Sequence, residues 1–328
     1  GKLALERHEY TKAQELLSQA LTADSTNENA RSMYIQAVKM KDAAEYEEKK
    51  NYDKAIACLE AIENLKGGSS DIKNEASKKK KELIKLNEEY KKAATNAYEF
   101  LRDKLIDEEF KGVYWMVDYL GNPIDTRKHI YCQSFAIYAL SEYYKATKNE
   151  EALNLAMELF ELIEGVGFNK ENSAYLEEFD REWNITPNEM LSENGVIAEI
   201  TTNTHLHVLE GYTTLYEITK NEAVREKLKN LIYTFYNKIY DKENHFLKIF
   251  FDGNWNTIID VKSYGHDIEA SWLIDEAYKV LNLKDEAIEK MIIDIAYNIK
   301  SQIQEDGSLI NESENGVKDY TRIWWVQV

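Results

Sequence analysis

Proline is nearly missing from this chain, with two in 328 residues. Proline breaks the hydrogen-bond ladder of a helix interior, so its scarcity suits long uninterrupted helices. Cysteine is equally rare. Cys58 and Cys132 lie far apart and form no metal-ligand spacing, so both are expected to be buried thiols in a reducing compartment. Basic charge is short, with 41 Lys and Arg against 59 Asp and Glu, a net charge of −18. A chain this acidic lacks the basic footprint that nucleic acid requires. No apolar run reaches the ~18 residues of a membrane-spanning helix. No signal-peptide pattern is visible and the cytoplasm is the expected location, although the sequence opens at Gly1 without Met, which leaves room for a removed leader.

Aromatic residues are plentiful, 12% of the chain with 22 Tyr and 6 Trp, and they divide it into two textures. Residues 1–90 are rich in Lys and Glu and contain no Trp. There Tyr10, Ala13, Leu17 and Ala20 recur in the same spacing as Tyr52, Ala55, Leu59 and Ile62, 42 residues on. A small Ala at a fixed offset from an aromatic lets two helices approach closely. The segments "HEYTKAQELLSQAL" and "KNYDKAIACLEAIE" resemble the tetratricopeptide repeat, which implies either a peptide-binding arm or a helical spacer. Because 42 exceeds the usual repeat length, a long loop is expected between the two copies. "SKKKKELIKLNEEYKK" (77–92) reads as a charged linker helix.

Residues 91–328 form the second expected domain. Aromatic, alternating stretches at 112–124, 174–187, 245–256 and 307–316 read as short hairpins. Each precedes helical periodicity, near 130–147 and 150–165, then 202–219 and 222–239, then 264–281 and 284–303, and last a helix starting near Tyr320. The unit is hairpin, helix, helix. It can stack as a linear solenoid or close as a ring, with the first helix of each pair inside and the hairpins around one mouth.

Polar and aromatic residues gather where the inner helices begin: Gln133; Asn203, His205, His207 and Glu210; His266 and Glu269; Arg322, Trp324, Trp325 and Gln327. In "SYGHDIEASW", Ser263 is expected to cap the helix and Gly265 to let the backbone turn into it. His266 then sits at a positive helix end that favours neutral imidazole, a competent general base. Glu269, one turn on, is expected to hold the ring by a hydrogen bond. His205 and His207 point about 200° apart on a helix and do not share a cavity, whereas Asn203 and His207 share a face. No metal-binding motif accompanies them, and no metal is expected. The hairpins add Tyr114, Trp115, Tyr175, Glu177, Glu178, Asp180, Arg181 and Trp183. Such rings beside carboxylates and Arg suit a carbohydrate, whose C–H face stacks on aromatics.

Taken together, "TNTHLHVLEGYTTLYE", "SYGHDIEASWLIDEA", "AYLEEFDREWN" and "RIWWVQ" resemble the N-acylglucosamine 2-epimerase superfamily, in its cellobiose 2-epimerase branch, over about residues 95–328. The resemblance implies an all-α (α/α)6 barrel with short hairpins at one mouth. It implies an isomerase acting at C2 of the reducing end of a mono- or disaccharide, without metal or redox cofactor. On this reading His266 removes the C2 proton to give a cis-enediolate, and Glu269 orients it. A histidine of the NTHLH segment, His205 or His207, assists ring opening, and a tryptophan of WWVQ stacks on the sugar. The expected substrate contacts are Asn203, Gln133, Tyr114, Tyr175, Glu178, Trp183, Trp324 and Trp325.

Two departures stand out. Phe135 occupies the place of an arginine that family epimerases usually carry. The second acid/base histidine belongs to a segment beyond WWVQ, and about eight of the family's twelve helices are expected here, so no residue takes that role. Two other classes fit parts of the pattern. A glycoside hydrolase would need two carboxylates flanking the bond, drawn from Glu177, Glu178, Asp180 or Glu269. A non-catalytic scaffold would carry a degenerate glycan- or protein-binding barrel.

Overall fold

The computed structural model describes residues 1–189 and 196–327. The chain divides into two compact units, Gly1–Thr95 and Asn96–Val328.

The first unit contains α1 (Lys2–Glu6), α2 (Tyr10–Ala23), α3 (Glu28–Glu48), α4 (Tyr52–Glu63) and the larger part of α5 (Ser70–Phe100). Most of the repeated positions turn inward: Ala13 and Leu17 on α2, and Ala55, Leu59 and Ile62 on α4, are buried, while Ala20 is exposed. Asn27 and Asn51 start α3 and α4 by accepting the amides of Ala30 and Lys54. The long loop expected from the 42-residue offset is absent. The connections around α3 are short, and α3 itself takes up the extra length as 21 helical residues.

The second unit alternates two kinds of helix. One row is α6 (Ile130–Thr147), α8 (Thr202–Thr219), α10 (Tyr264–Val280) and the short α12 (Trp324–Gln327). These pack side by side in chain order. The other helices, α7 (Glu150–Leu162), α9 (Glu222–Thr234) and α11 (Glu286–Lys300), each lie against the first-row helix that precedes them. Burial separates the rows. On α8 nearly every residue is buried, whereas α9 buries one stripe, Val224, Leu228, Leu231 and Ile232. That i, i+4, i+7, i+8 spacing is the signature of a helix covered on one side. The inner row and its outer jacket are the (α/α)6-type toroid architecture, with only small sheets.

The path from outer to inner helix repeats. α5, α7 and α9 each widen into one π-helical turn, at Leu101–Leu105, Ile163–Gly167 and Phe235–Ile239. A hairpin or loop then returns the chain to the mouth. Asp118, Asp180 and Asp252 build equivalent tight turns. Each accepts the amides two and four residues on, and the side-chain amide of Asn122, Asn184 or Asn256. The last helix begins at Trp324 rather than near Tyr320. Asp319 forms a turn there instead, accepting both the amide and the hydroxyl of Thr321.

Candidate active site

The starts of the four inner helices use the same positions for the same tasks. The fourth residue fastens the preceding hairpin. Gln133 accepts the Val113 amide at 2.7 Å and donates to its carbonyl at 2.9 Å. His205 Nε2 accepts the Tyr175 amide at 3.1 Å. Asp267 Oδ1 accepts the Leu247 amide at 3.0 Å. Gln327 repeats the Gln133 pair on Leu309, at 2.8 and 2.9 Å.

Two residues expected at the site therefore serve the scaffold. Gln133 is fully buried, with both amide atoms engaged by backbone. His205 is fully buried too, and its Nδ1 meets the Thr201 carbonyl at 2.8 Å. Both of its ring nitrogens are occupied, and burial drives its pKa down to about 4.

The sixth residues are Phe135, His207 and Glu269, and these come together. The rings of Phe135 and His207 are 4.6 Å apart, and Tyr131, a second-position residue, meets both. His207 Nδ1 lies 2.9 Å from Glu210 Oε2, which fixes Nδ1 as the protonated nitrogen. The Tyr131 hydroxyl is held above its usual pKa by burial, then by the charges of Glu269, Cys132 and Glu210, which places it among them. Glu269 is also raised, by burial first, with His207 opposing and Glu210 adding. Asn203, at the second position of α8, shares the His207 face. Its buried Oδ1 has no hydrogen-bond partner among the described residues.

His266 is the third residue of α10, and the Trp325 ring lies tilted against it, with centroids 4.9 Å apart. Burial, with the charge of His207 second, holds its pKa down at about 4, so the ring is neutral at neutral pH. Three expectations for this segment need correction. Ser263 makes no side-chain cap on α10; its Oγ lies 2.7 Å from His266 Nδ1. The ring is thus held by Ser263 rather than by Glu269. Gly265 serves close approach rather than the turn, since a Cβ there would stand 2.5 Å from the Trp325 ring.

The hairpin residues lie in other settings. The buried Tyr114 ring covers the Lys128 ammonium at 4.7 Å. Lys128 is itself fully buried and paired with Asp107 at 3.1 Å. Arg181 also holds Asp107, and these hydrogen bonds overcome burial to keep that carboxyl well below its usual range. Trp183 donates its indole N–H to the Phe110 carbonyl at 2.8 Å, as Trp255 does to Asn172 one unit later. The Tyr175 hydroxyl donates to Glu164 at 2.6 Å. With His205, Tyr175 borders a separate cavity of about 320 Å³ beside α9. Glu178 is buried and binds Arg127 at 3.1 Å and the Glu189 amide at 2.9 Å. Trp324 is largely exposed. Cys58 is buried, while Cys132 is only partly so.

Further hairpin and helix-start residues complete the surroundings. Glu177 is buried and accepts the Thr201 amide, the Thr201 hydroxyl and the Thr204 hydroxyl, which ties it to the start of α8. Burial outweighs those bonds and raises its pKa to about 8. His129 caps α6 through Nδ1 and turns Nε2 toward Asn188 at 3.3 Å. A chain of rings, Trp115, His129, Tyr131 and Phe135, leads from hairpin to inner helices. Its place at the second position of α6, equivalent to Asn203 on α8, is the signal that would have singled out Tyr131.

Solved structures place this architecture among the toroids of sugar-converting enzymes. "Structure of Cellobiose 2-Epimerase from Bacillus thermoamylovorans B4167" superposes with a TM-score of 0.71 at 57% identity, over 73% of this chain and 62% of that one. A D-mannose isomerase structure shares the fold, with a TM-score of 0.60 at 20% identity over 73% of this chain and 60% of its own. The chain belongs to the N-acylglucosamine 2-epimerase (GlcNAc 2-epimerase) family, whose pattern matches residues 82–328. Among curated relatives, cellobiose 2-epimerase of Dictyoglomus turgidum is 47% identical over 242 residues, 73% of this chain and 62% of that protein. The chain thus spans about three fifths of the length of such relatives.

Proposed function

We propose that this protein is an isomerase that inverts or shifts the configuration at C2 of a reducing-end sugar, with a cellobiose-like disaccharide as substrate. The observation that carries the reading is the meeting of neutral His266, Trp325, His207 and Glu269 at the starts of three inner helices, in a chain of this family.

His207, with Nδ1–H held by Glu210, has Nε2 available to take the proton of the C1 hydroxyl and deliver it to the ring oxygen, opening the sugar. His266 then removes the C2 proton of the aldehyde. The C–H electrons form the C1–C2 double bond of a cis-enediolate, and negative charge moves to O1. Return of a proton to the opposite face of C2 gives the epimer, and return to C1, with the O2 proton passing to O1, gives the ketose. General acid/base catalysis of this kind contributes about 10²–10⁴-fold per group. The Trp325 ring offers a platform for the sugar, and the unpartnered Asn203 oxygen an acceptor for a sugar hydroxyl.

Incubation with cellobiose in D2O tests the reading. Deuterium entering C2, followed by proton NMR and lost in His266→Ala, is the expected result. Absence of exchange with cellobiose, mannobiose, mannose and N-acetylglucosamine would overturn it. For residues 1–95, the paired Tyr-Ala-Leu pattern supports a tetratricopeptide-like arm able to hold an extended peptide, which a peptide-array screen of that unit would check.

A further inference from the structure

At the residue before each inner helix, two of the three long ones are capped in the ordinary way. His129 accepts the Tyr131 amide ahead of α6, and Thr201 accepts the Thr204 amide ahead of α8. Ser263, among the best capping residue types, does not cap α10. Its hydroxyl lies instead 2.7 Å from His266 Nδ1. Its backbone is fixed independently, since Ser263 is the last residue of a strand paired with Glu312. The serine is nearly buried, so its hydroxyl is held against the ring and shielded from solvent.

From this geometry we infer that Ser263 is a positioning residue that holds His266 by Nδ1 and keeps it in the Nδ1–H tautomer, with Nε2 left unprotonated. A serine hydroxyl can accept from Nδ1–H or donate to a bare Nδ1, and only the first arrangement leaves Nε2 unprotonated as the base that the isomerase reading requires. With Ser263 Oγ accepting from Nδ1–H, Nε2 is the only nitrogen able to take a proton. When it does, the imidazolium still donates Nδ1–H to the same oxygen, now as a stronger charge-assisted bond. The hydroxyl therefore supports the ring both before and after proton transfer. Glu269, one turn further on, is left to face His207.

The inference rests on the isomerase reading for its catalytic meaning, but the tautomer itself is measurable without turnover. The full chain is labelled with ¹⁵N-histidine, and the six histidines are resolved by long-range ¹H–¹⁵N NMR. His266 is assigned by its loss in His266→Gln. The expected spectrum has His266 as the Nδ1–H form, with a substantial Nε2–H population appearing in Ser263→Ala and the Nδ1–H form restored in Ser263→Thr. Unchanged melting temperature in Ser263→Ala separates this from loss of fold, and if the alanine variant melts early the tautomer of the native protein decides by itself. In parallel, C2 deuterium exchange is expected to fall at least tenfold in kcat for Ser263→Ala with KM little changed. Nε2–H in the native protein, or a tautomer indifferent to Ser263→Ala, overturns the inference even if exchange proceeds. Lack of exchange in the native chain with the tautomer shift intact leaves the Ser263 role standing and overturns the isomerase reading instead.

Discussion

The rings of Phe135 and His207 stand 4.6 Å apart, each the sixth residue of its own inner helix. An apolar ring thus forms one wall beside the histidine, where Glu269 occupies the same place on the next helix.

Removing His266 is the direct test of the chemistry. His266→Ala is expected to lower C2 exchange by 10²-fold or more, the size of a lost acid/base group, with far-UV circular dichroism unchanged. In the native protein the base is neutral above about pH 4, so exchange should hold from pH 7 down toward 5 and fail as pH drops through about 4.

Stability should depend on pH from both sides. His129, His205 and His266 have folded pKa values depressed to about 4, below the ~6.5 of an unfolded histidine. Between those values the unfolded chain binds more protons, so stability is lost as pH falls from about 6.5 to 4. Glu177 acts oppositely. Its folded pKa near 8 exceeds the unfolded value, so its contribution is full at low pH and is lost as pH rises toward 8. Melting temperature against pH should therefore peak between these limits, and Glu177→Gln should flatten the fall on the alkaline side.

Gln133→Ala should destabilise without touching the chemistry directly. It strands a buried amide and carbonyl of Val113, an expected loss of about 2 kcal/mol or more by denaturant titration.

Gly265→Ala should act through Trp325. The added methyl has no room against that ring, so the indole must move away from His266. An increase in KM of about tenfold and a change in Trp fluorescence are expected, with a melting shift of only a few degrees.

Much of the architecture was readable because period and burial follow from the same residues. The stripe on α9 and the all-round apolar character of α8 distinguish outer from inner helix in the sequence itself. The shared face of Asn203 and His207 followed from helix geometry alone. What could not be read was which polar side chain at a helix start answers the backbone and which faces the open space. Gln133 and His205 are chemically apt for a sugar, yet their partners are amides 20 and 30 residues earlier, and nothing local announces such a bond. Ser263 misled for the opposite reason. Local propensity favours a cap, and a ring three residues on competes for the same hydroxyl and wins it. Trp183 looked like a stacking platform, but its N–H found a carbonyl 73 residues away.

The fourth-position fastening has a consequence for how such a molecule can change. Gln, His, Asp and Gln all perform it, so the task is defined by place rather than by residue type. Holding the mouth together is thereby delegated to one rung of each of these four inner helices. The second, third and sixth rungs owe little to the frame, and a lineage could rewrite them one at a time, trading one sugar or reaction for another while the frame around them stayed fastened.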